Sequence, residues 1–452
     1  MEPLKMRIFR GSPYLQLVIL RWQVILYNCF FVKPFYQEKK SMKNVVITGR
    51  GLVTPLGNGL VKNEEALRNG SSGVIFVPEW KEIGLESQVA GLADPDPQCP
   101  LLNQKNMRFM TANTKMAMAA AWEALNEAKL SLDEIRGKRI AVILGCASSA
   151  YQQIYDGAKL VADSKKVKKL SPFMVPKVMA SSAVSNLSLN LGLTGESYDI
   201  SSACTSSAHA IMIAARLLET GVYDMVITGG AEETSWVHAL GFDAMRAMAR
   251  SFNDRPTLAS RPFDRAREGF VMASGAGILI METAKHAAAR GVKPIVRLSG
   301  ISANSNATDM VVPDPESSCS VMKMAIEDAG LDVSEIAYIN THGTSTPTGD
   351  PLEMKSIKLL MGDSAGKVAI NSTKSMTGHM IGATGAVEAI FCTMMMEKNF
   401  ICPSINLDNP EQEFEWADLV RECRTDVKVR HSLSNSFGFG GTNASLVFSS
   451  LD

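Results

Sequence analysis

From residue 43 onward, short β-branched runs ending in glycine alternate with helical patterns, and this alternation leaves few folds open. "NVVITG" (44–49), "RIAVILG" (139–145) and "DMVITGG" (224–230) read as buried strands, since apolar runs without polar alternation have both faces covered. The Ala-rich segment 107–128 reads as a long helix, and 205–221 as a helix closed by Gly221. The second half has the same texture. It predicts strands at 295–303, 337–343 and 445–450, with helices at 320–330 and 382–398. Strand–helix alternation repeated in two successive halves predicts an α/β fold with mostly parallel sheets and a seam near residue 290.

With 452 residues, 46% of them hydrophobic, the chain can fill the large cores that such layers need. Lys plus Arg and Asp plus Glu each number 46, so a general nucleic-acid binder is excluded and any charged partner must meet a local patch. The eight cysteines (29, 99, 146, 204, 319, 392, 402 and 423) form no CxxC pair and no zinc spacing. That pattern predicts reduced thiols and a cytoplasmic protein.

Residues 1–41 differ in character. The apolar stretch Tyr14–Val32 is interrupted by Gln16, Arg21, Gln23 and Asn28. A central arginine costs a membrane span about 2.5–3.5 kcal/mol, and no clean signal-peptide core or cleavage site stands out. The expectation is an N-terminal extension outside the fold, with the functional chain starting near Met42. A membrane-associating leader is the competing reading.

"YDISSACTSS" runs from an apolar strand through small residues into a helix. Cys204 therefore lies near a helix N-terminus, where unpaired N–H groups and the dipole favour a thiolate. Taken alone, a cysteine between strand and helix is more often a small buried residue than a nucleophile. His342 in "NTHGTSTPTGD" and His379 in "STKSMTGHMIGATGAVE" each sit in a Gly/Thr loop behind a buried strand. Neutral imidazoles there could donate hydrogen bonds to a developing oxyanion, or simply satisfy local backbone. Lys374 and Glu388 flank His379 by five and nine positions and could form a buried pair that tunes it. The glycine-rich "NSFGFGGTN" (435–443) could supply N–H donors, a mobile gate, or only a tight turn.

Together "SSACTSSAHA", "SRPFDRAREGFV" (260–271), "THGTSTPTGD", "STKSMTGHMIGATGAVE" and "NSFGFGGTN" resemble the β-ketoacyl-acyl carrier protein synthases, the elongating condensing enzymes of type II fatty acid synthesis. The resemblance covers residues 43–452 in order, and segments 231–245 and 307–316 are closer to synthase I than to synthase II. It implies a thiolase-like fold: two duplicated halves (43–292 and 293–452) in a five-layered α/β/α/β/α arrangement, assembled as a homodimer. It implies Cys204 as the acyl-accepting nucleophile, and His342 and His379 as partners in malonyl decarboxylation and enolate stabilisation. Lys374 would orient that site with Glu388 in support. The oxyanion hole would use backbone N–H groups of Cys204 and Phe437. Phe437 would also gate the acyl pocket, and Thr344 and Thr346 would hold the phosphopantetheine arm. Lys105, Arg108, Lys165 and Lys168 would form the patch that meets an acidic acyl carrier protein. Such chemistry needs no metal or redox cofactor. A degradative thiolase would carry a second cysteine in the C-terminal loop, where this chain reads "NSFGFGG". A polyketide or aryl-polyene-like condensing enzyme, or a partner subunit of a heterodimeric synthase, are the alternatives.

Overall fold

The computed structural model describes residues 44–95 and 98–451; the extension expected over residues 1–41 lies outside them. Ten principal strands carry the fold. The first half contributes β1 (Val45–Thr54), β2 (Ala141–Gly145), β3 (Ser197–Ile200), β4 (Met225–Glu232) and β5 (Gly275–Thr283). The second contributes β6 (Val296–Ser305), β7 (Tyr338–Asn340), β8 (Ala369–Asn371), β9 (His431–Gly438) and β10 (Thr442–Ser449). Their spatial orders are β3-β2-β4-β5-β1 and β8-β7-β9-β10-β6, so the halves repeat one topology. They join where β1 pairs with β6, Val46 opposite Arg297 and Ile47 opposite Val296.

The expectation of mostly parallel sheets is corrected. β2 pairs in parallel with β3 and β4, and β7 with β8 and β9. β5, however, runs against β4 and β1, and β10 runs against β9 and β6. The turn Phe439–Gly441 between β9 and β10 is too short for anything but a hairpin. A buried apolar run carries no mark of its direction, which is why sequence pattern missed the reversal.

The helices are α1 (Ala112–Glu127), α2 (Tyr151–Ser164), α3 (Ser182–Leu191), α4 (Ser206–Glu219), α5 (Trp236–Ala244), α6 (Pro315–Ala329), α7 (Gly349–Met361) and α8 (Thr384–Lys398). α1 and α3 cover one face of the first sheet, packing Met116, Leu125 and Leu187 against Val142, Ile227 and Ile278. α6 and α7 cover the second sheet, with Met322 and Ile357 against Ile339 and Leu433. α4 and α8 lie between the sheets, in one cluster that joins Ile211 and Ile390 to Ile143, Leu279, Leu298 and Phe448. The result is five layers, α/β/α/β/α. α8 is buried at every position from Thr384 to Met396, as a helix sandwiched between two sheets must be. Gly145 ends β2 against α4, where a Cβ would come within 2.2 Å of the Ser207 nitrogen. No helix among the described residues is long and apolar enough to cross a membrane.

Candidate active site

The fold brings the start of α4 and two loops of the second half to one cavity. Cys204 stands in the tight turn between β3 and α4, directly after Ala203, which takes a left-handed φ of 51°. Hydroxyls hold that turn: Thr205 Oγ1 donates to the Ser202 carbonyl at 2.5 Å, and Ser206 Oγ to the Ala203 carbonyl at 2.6 Å. The small residues at 201–206 thus do two things at once, closing the turn and leaving the thiol half-exposed.

His379 is fixed by its backbone, which exchanges hydrogen bonds of 2.7 and 2.9 Å with the extended segment at Val271 and Ala273. Its Nε2 lies 3.1 Å from Cys204 Sγ, and its Nδ1 lies 3.1 Å from Thr384 Oγ1 at the start of α8. His342 follows β7. Its backbone N–H and that of Gly343 donate to the Glu353 carboxylate of α7 at 2.8 and 2.7 Å. The two imidazoles meet edge to face, centroids 5.3 Å apart. A ligand atom from each of Cys204, His342 and His379 lies within 4.8 Å of the others, the one group of three close enough to hold a metal ion among the described residues.

Electrostatics divide these groups sharply. Burial holds both histidines well below their ordinary pKa, the charge of Lys374 adds to this, and His379 acts further on His342. Both rings are therefore neutral at pH 7, as donors to an oxyanion need to be. The thiol departs from the sequence expectation. Burial pushes Cys204 up to about 11, against the pull of Lys374 and of a hydrogen bond from the Phe439 backbone. Burial outweighs the helix terminus here, so the resting sulfur is a thiol in contact with a base, not a free thiolate. Lys374 is itself buried and pairs with Glu388 at 2.7 Å, and Thr373 Oγ1 donates to the same carboxylate oxygen at 3.1 Å.

The cavity at these groups has a volume of about 240 Å³. Thr344 and Thr346 line it, their hydroxyls 3.3 Å apart. Buried Arg267 holds that loop from beneath, donating to the Thr346 carbonyl at 3.1 Å and to Glu411 at 2.9 Å. Phe437 is buried in the wall with its ring 6.1 Å from His342. The backbone donor to the thiol comes from Phe439, two residues beyond the Phe437 that the sequence suggested. Both phenylalanines line the cavity. In "FGFGG" the two share one local pattern, so only the three-dimensional turn separates them.

Lys105, Arg108, Lys165 and Lys168 are all exposed and away from this cavity. Arg108 stacks 4.6 Å over the Phe173 ring, which draws the 104–108 turn against the segment that follows Lys168. Two buried carboxylates escaped the sequence reading. Glu353 caps the His342 loop, and Glu232, at the end of β4, binds backbone on both sides of the thiol. The available signal was a lone acid directly after or among apolar residues, as in "ITGGAEE".

A family model described as beta-ketoacyl synthase, N-terminal domain, matches residues 42–287, and one described as beta-ketoacyl synthase, C-terminal domain, matches residues 295–408. The 3-oxoacyl-acyl-carrier-protein synthase 1 of Haemophilus influenzae is 40% identical over 408 residues, which span 90% of this chain and 99% of that protein. The 3-oxoacyl-acyl-carrier-protein synthase 2 of Vibrio harveyi is 37% identical over 412 residues, 90% of this chain and 99% of its own. The crystal structure of a beta-ketoacyl synthase from Burkholderia phymatum STM815 aligns with a TM-score of 0.85 at 34% identity, over 91% of this chain and 100% of that one.

Proposed function

The chain belongs to the beta-ketoacyl synthase family, and from that premise we propose how its residues divide the work of a condensing enzyme of fatty acid synthesis. Cys204 is the nucleophile. Its Sγ–H passes a proton to His379 Nε2, 3.1 Å away, as sulfur attacks the acyl thioester carbonyl of a loaded carrier protein. The carrier's C–S bond breaks, and the leaving thiolate takes up that proton. Malonyl thioester then enters. Its C–C bond to the carboxylate breaks, CO2 departs, and the electron pair forms an enolate. N–H groups of His342 and His379 meet the enolate oxygen; with Cys204 acylated, neutral His379 carries its hydrogen on Nε2 and accepts the Thr384 hydroxyl at Nδ1. The enolate carbon attacks the acyl-cysteine carbonyl, the C–S bond to Cys204 breaks, the released thiolate takes a proton from solvent to restore the thiol, and the β-ketoacyl thioester leaves on the carrier.

The N–H groups of Cys204 and Phe439 face the developing acyl oxyanion, and Phe437 and Phe439 border the acyl path. Thr344 and Thr346 bind the pantetheine arm. Lys374, paired with Glu388, keeps both imidazoles neutral and lowers the thiol. Lys105, Arg108, Lys165 and Lys168 receive an acidic carrier protein. The proposed unit is a cytoplasmic homodimer, each chain divided into its two halves at 292/293. The apolar face that α2 exposes through Tyr151, Ile154 and Tyr155 supports a second copy as its cover.

The observation that carries this reading is the 3.1 Å contact between Cys204 Sγ and His379 Nε2, made by two loops from different halves of the fold. The test is an extension assay with a panel of acyl-carrier proteins and malonyl-carrier protein. Wild-type protein yields β-ketoacyl product, Cys204→Ala yields none, and His379→Ala is slowed about 10²–10⁴-fold. Elongation by Cys204→Ala at the wild-type rate would refute the mechanism.

A further inference from the structure

Glu232 closes β4 with its side chain fully buried and no lysine or arginine bonded to it. It ties together two loops that border Cys204. One oxygen accepts the Ala147 N–H at 2.9 Å and the Gly382 N–H at 3.0 Å. The other accepts the Ser148 N–H at 3.1 Å and lies 2.9 Å from Ser148 Oγ. Gly382 follows Ile381, which packs with Ala147 and Cys204 in one apolar cluster. The approach is so close that a Cβ on Gly382 would come within 2.7 Å of the carboxyl and 2.4 Å of the Ala147 nitrogen.

The chain of contacts continues outward. Ser148 Oγ lies 2.7 Å from His238 Nε2, and His238 Nδ1 lies 3.3 Å from the Glu233 carbonyl oxygen. Counting hydrogens fixes what this chain holds. A carbonyl can only accept, so His238 Nδ1 must carry hydrogen. If His238 is neutral, Nε2 then accepts from the Ser148 hydroxyl. That hydroxyl has no second hydrogen for the carboxyl, so the carboxyl must donate to it. If His238 is charged instead, Nε2 donates to Ser148 and Ser148 donates to an ionised carboxylate. In both arrangements the unit carries one proton more than an ionised Glu232 beside a neutral His238. Burial selects between them: it pushes Glu232 up to about 8 against its backbone donors and the Ser148 side chain, and pushes His238 down.

We propose that Glu232 is a positioning residue of the acyl site, held protonated by the relay Glu232–Ser148–His238, and that release of this proton shuts down acyl transfer to Cys204. The ionisable groups facing Glu232 are Cys146 from the end of β2, Glu233 next in the chain, His238 from α5 and Cys204 before α4. Asp199 of β3 acts on Cys146 beyond them. None of these neutralises a carboxylate. Ionised Glu232 therefore raises the Cys204 thiol further, and it draws the Ser148 hydroxyl hydrogen to itself and away from His238. The proposal rests on Cys204 being the acyl acceptor.

The experiment measures single-turnover acylation of Cys204 by an acyl-carrier protein between pH 6 and 10, read by intact mass. Wild-type acylation falls on the alkaline side with a midpoint of about 8. In Glu232→Gln, neutral at every pH, that fall is absent; the readout is the shape of the profile, not its height. Ser148→Ala removes the acceptor of the carboxyl hydrogen, so the midpoint moves to lower pH. It serves as the second reading if Glu232→Gln does not fold. An unchanged alkaline fall in Glu232→Gln, or a midpoint that rises or stays in Ser148→Ala, overturns the proposal. Failure of wild-type protein to acylate Cys204 at any pH would instead overturn the reading beneath it.

Discussion

The two halves present the same strand–loop–helix framework to the cavity and arm it differently. The loop after β2 carries small residues, Cys146 to Ala150, whereas its counterpart after β7 carries His342 and the threonines. The turn after β3 needs only five residues to present a thiol at α4, whereas the passage from β8 to α8 takes twelve and holds Lys374 and His379. Each half also buries one carboxyl group near the reacting sulfur. Glu388 has a lysine at 2.7 Å, whereas the partners of Glu232 among the described residues are N–H groups, a serine and the Cys146 thiol. The two carboxyls do not sit at equivalent positions, since Glu232 ends a strand and Glu388 lies within a helix. The presence or absence of a cation then decides whether each carboxyl is held as a charge or as an acid.

Stability breaks this comparison most sharply. Lys374→Met leaves Glu388 buried without its cation and costs about 3–5 kcal/mol by chemical denaturation. Glu232→Gln keeps an already neutral group neutral and costs about 1 kcal/mol, one hydrogen bond. Equal losses would mean that the two carboxyls do not differ in charge. A smaller effect sharpens the contrast from outside the core. The basic patch is exposed, so its charges act in high dielectric and are screened by salt. Lys105→Glu with Lys165→Glu raises the carrier protein's KM several-fold at low salt, with a lesser change in maximal rate. An unchanged KM removes the patch from the docking surface.

Sequence pattern carried the α/β class and picked out three residues that meet at the cavity, while the layer order came from the family resemblance. Cys204, His342 and His379 were legible because each lies in a glycine- or serine-rich turn directly behind an apolar strand. What was illegible depends on contacts between distant residues. The reversed direction of β5 and β10 leaves no trace in composition, since a buried run reads the same in either sense. The role of Glu232 depends on Gly382, 150 positions away, and on Ser148, 84 positions away. The thiol's upward shift was missed because the helix end is visible in sequence and the depth of burial is not. A backbone hydrogen bond from Phe439 lowers the thiol, and in "FGFGG" sequence alone does not separate Phe439 from Phe437.

The central claim is that one thiol of eight is the acyl acceptor because an imidazole from the other half touches it. Cys146 is the internal control. It too follows a strand end and lies near the cavity wall, but burial holds its thiol well up, and no imidazole among the described residues contacts it. The direct measurement is peptide mapping of wild-type protein after a brief incubation with an acyl-carrier protein. The account predicts the acyl group on Cys204 alone, with label lost in His379→Ala at short times. Acyl label on Cys146, or label on Cys204 that forms equally fast without His379, would contradict it.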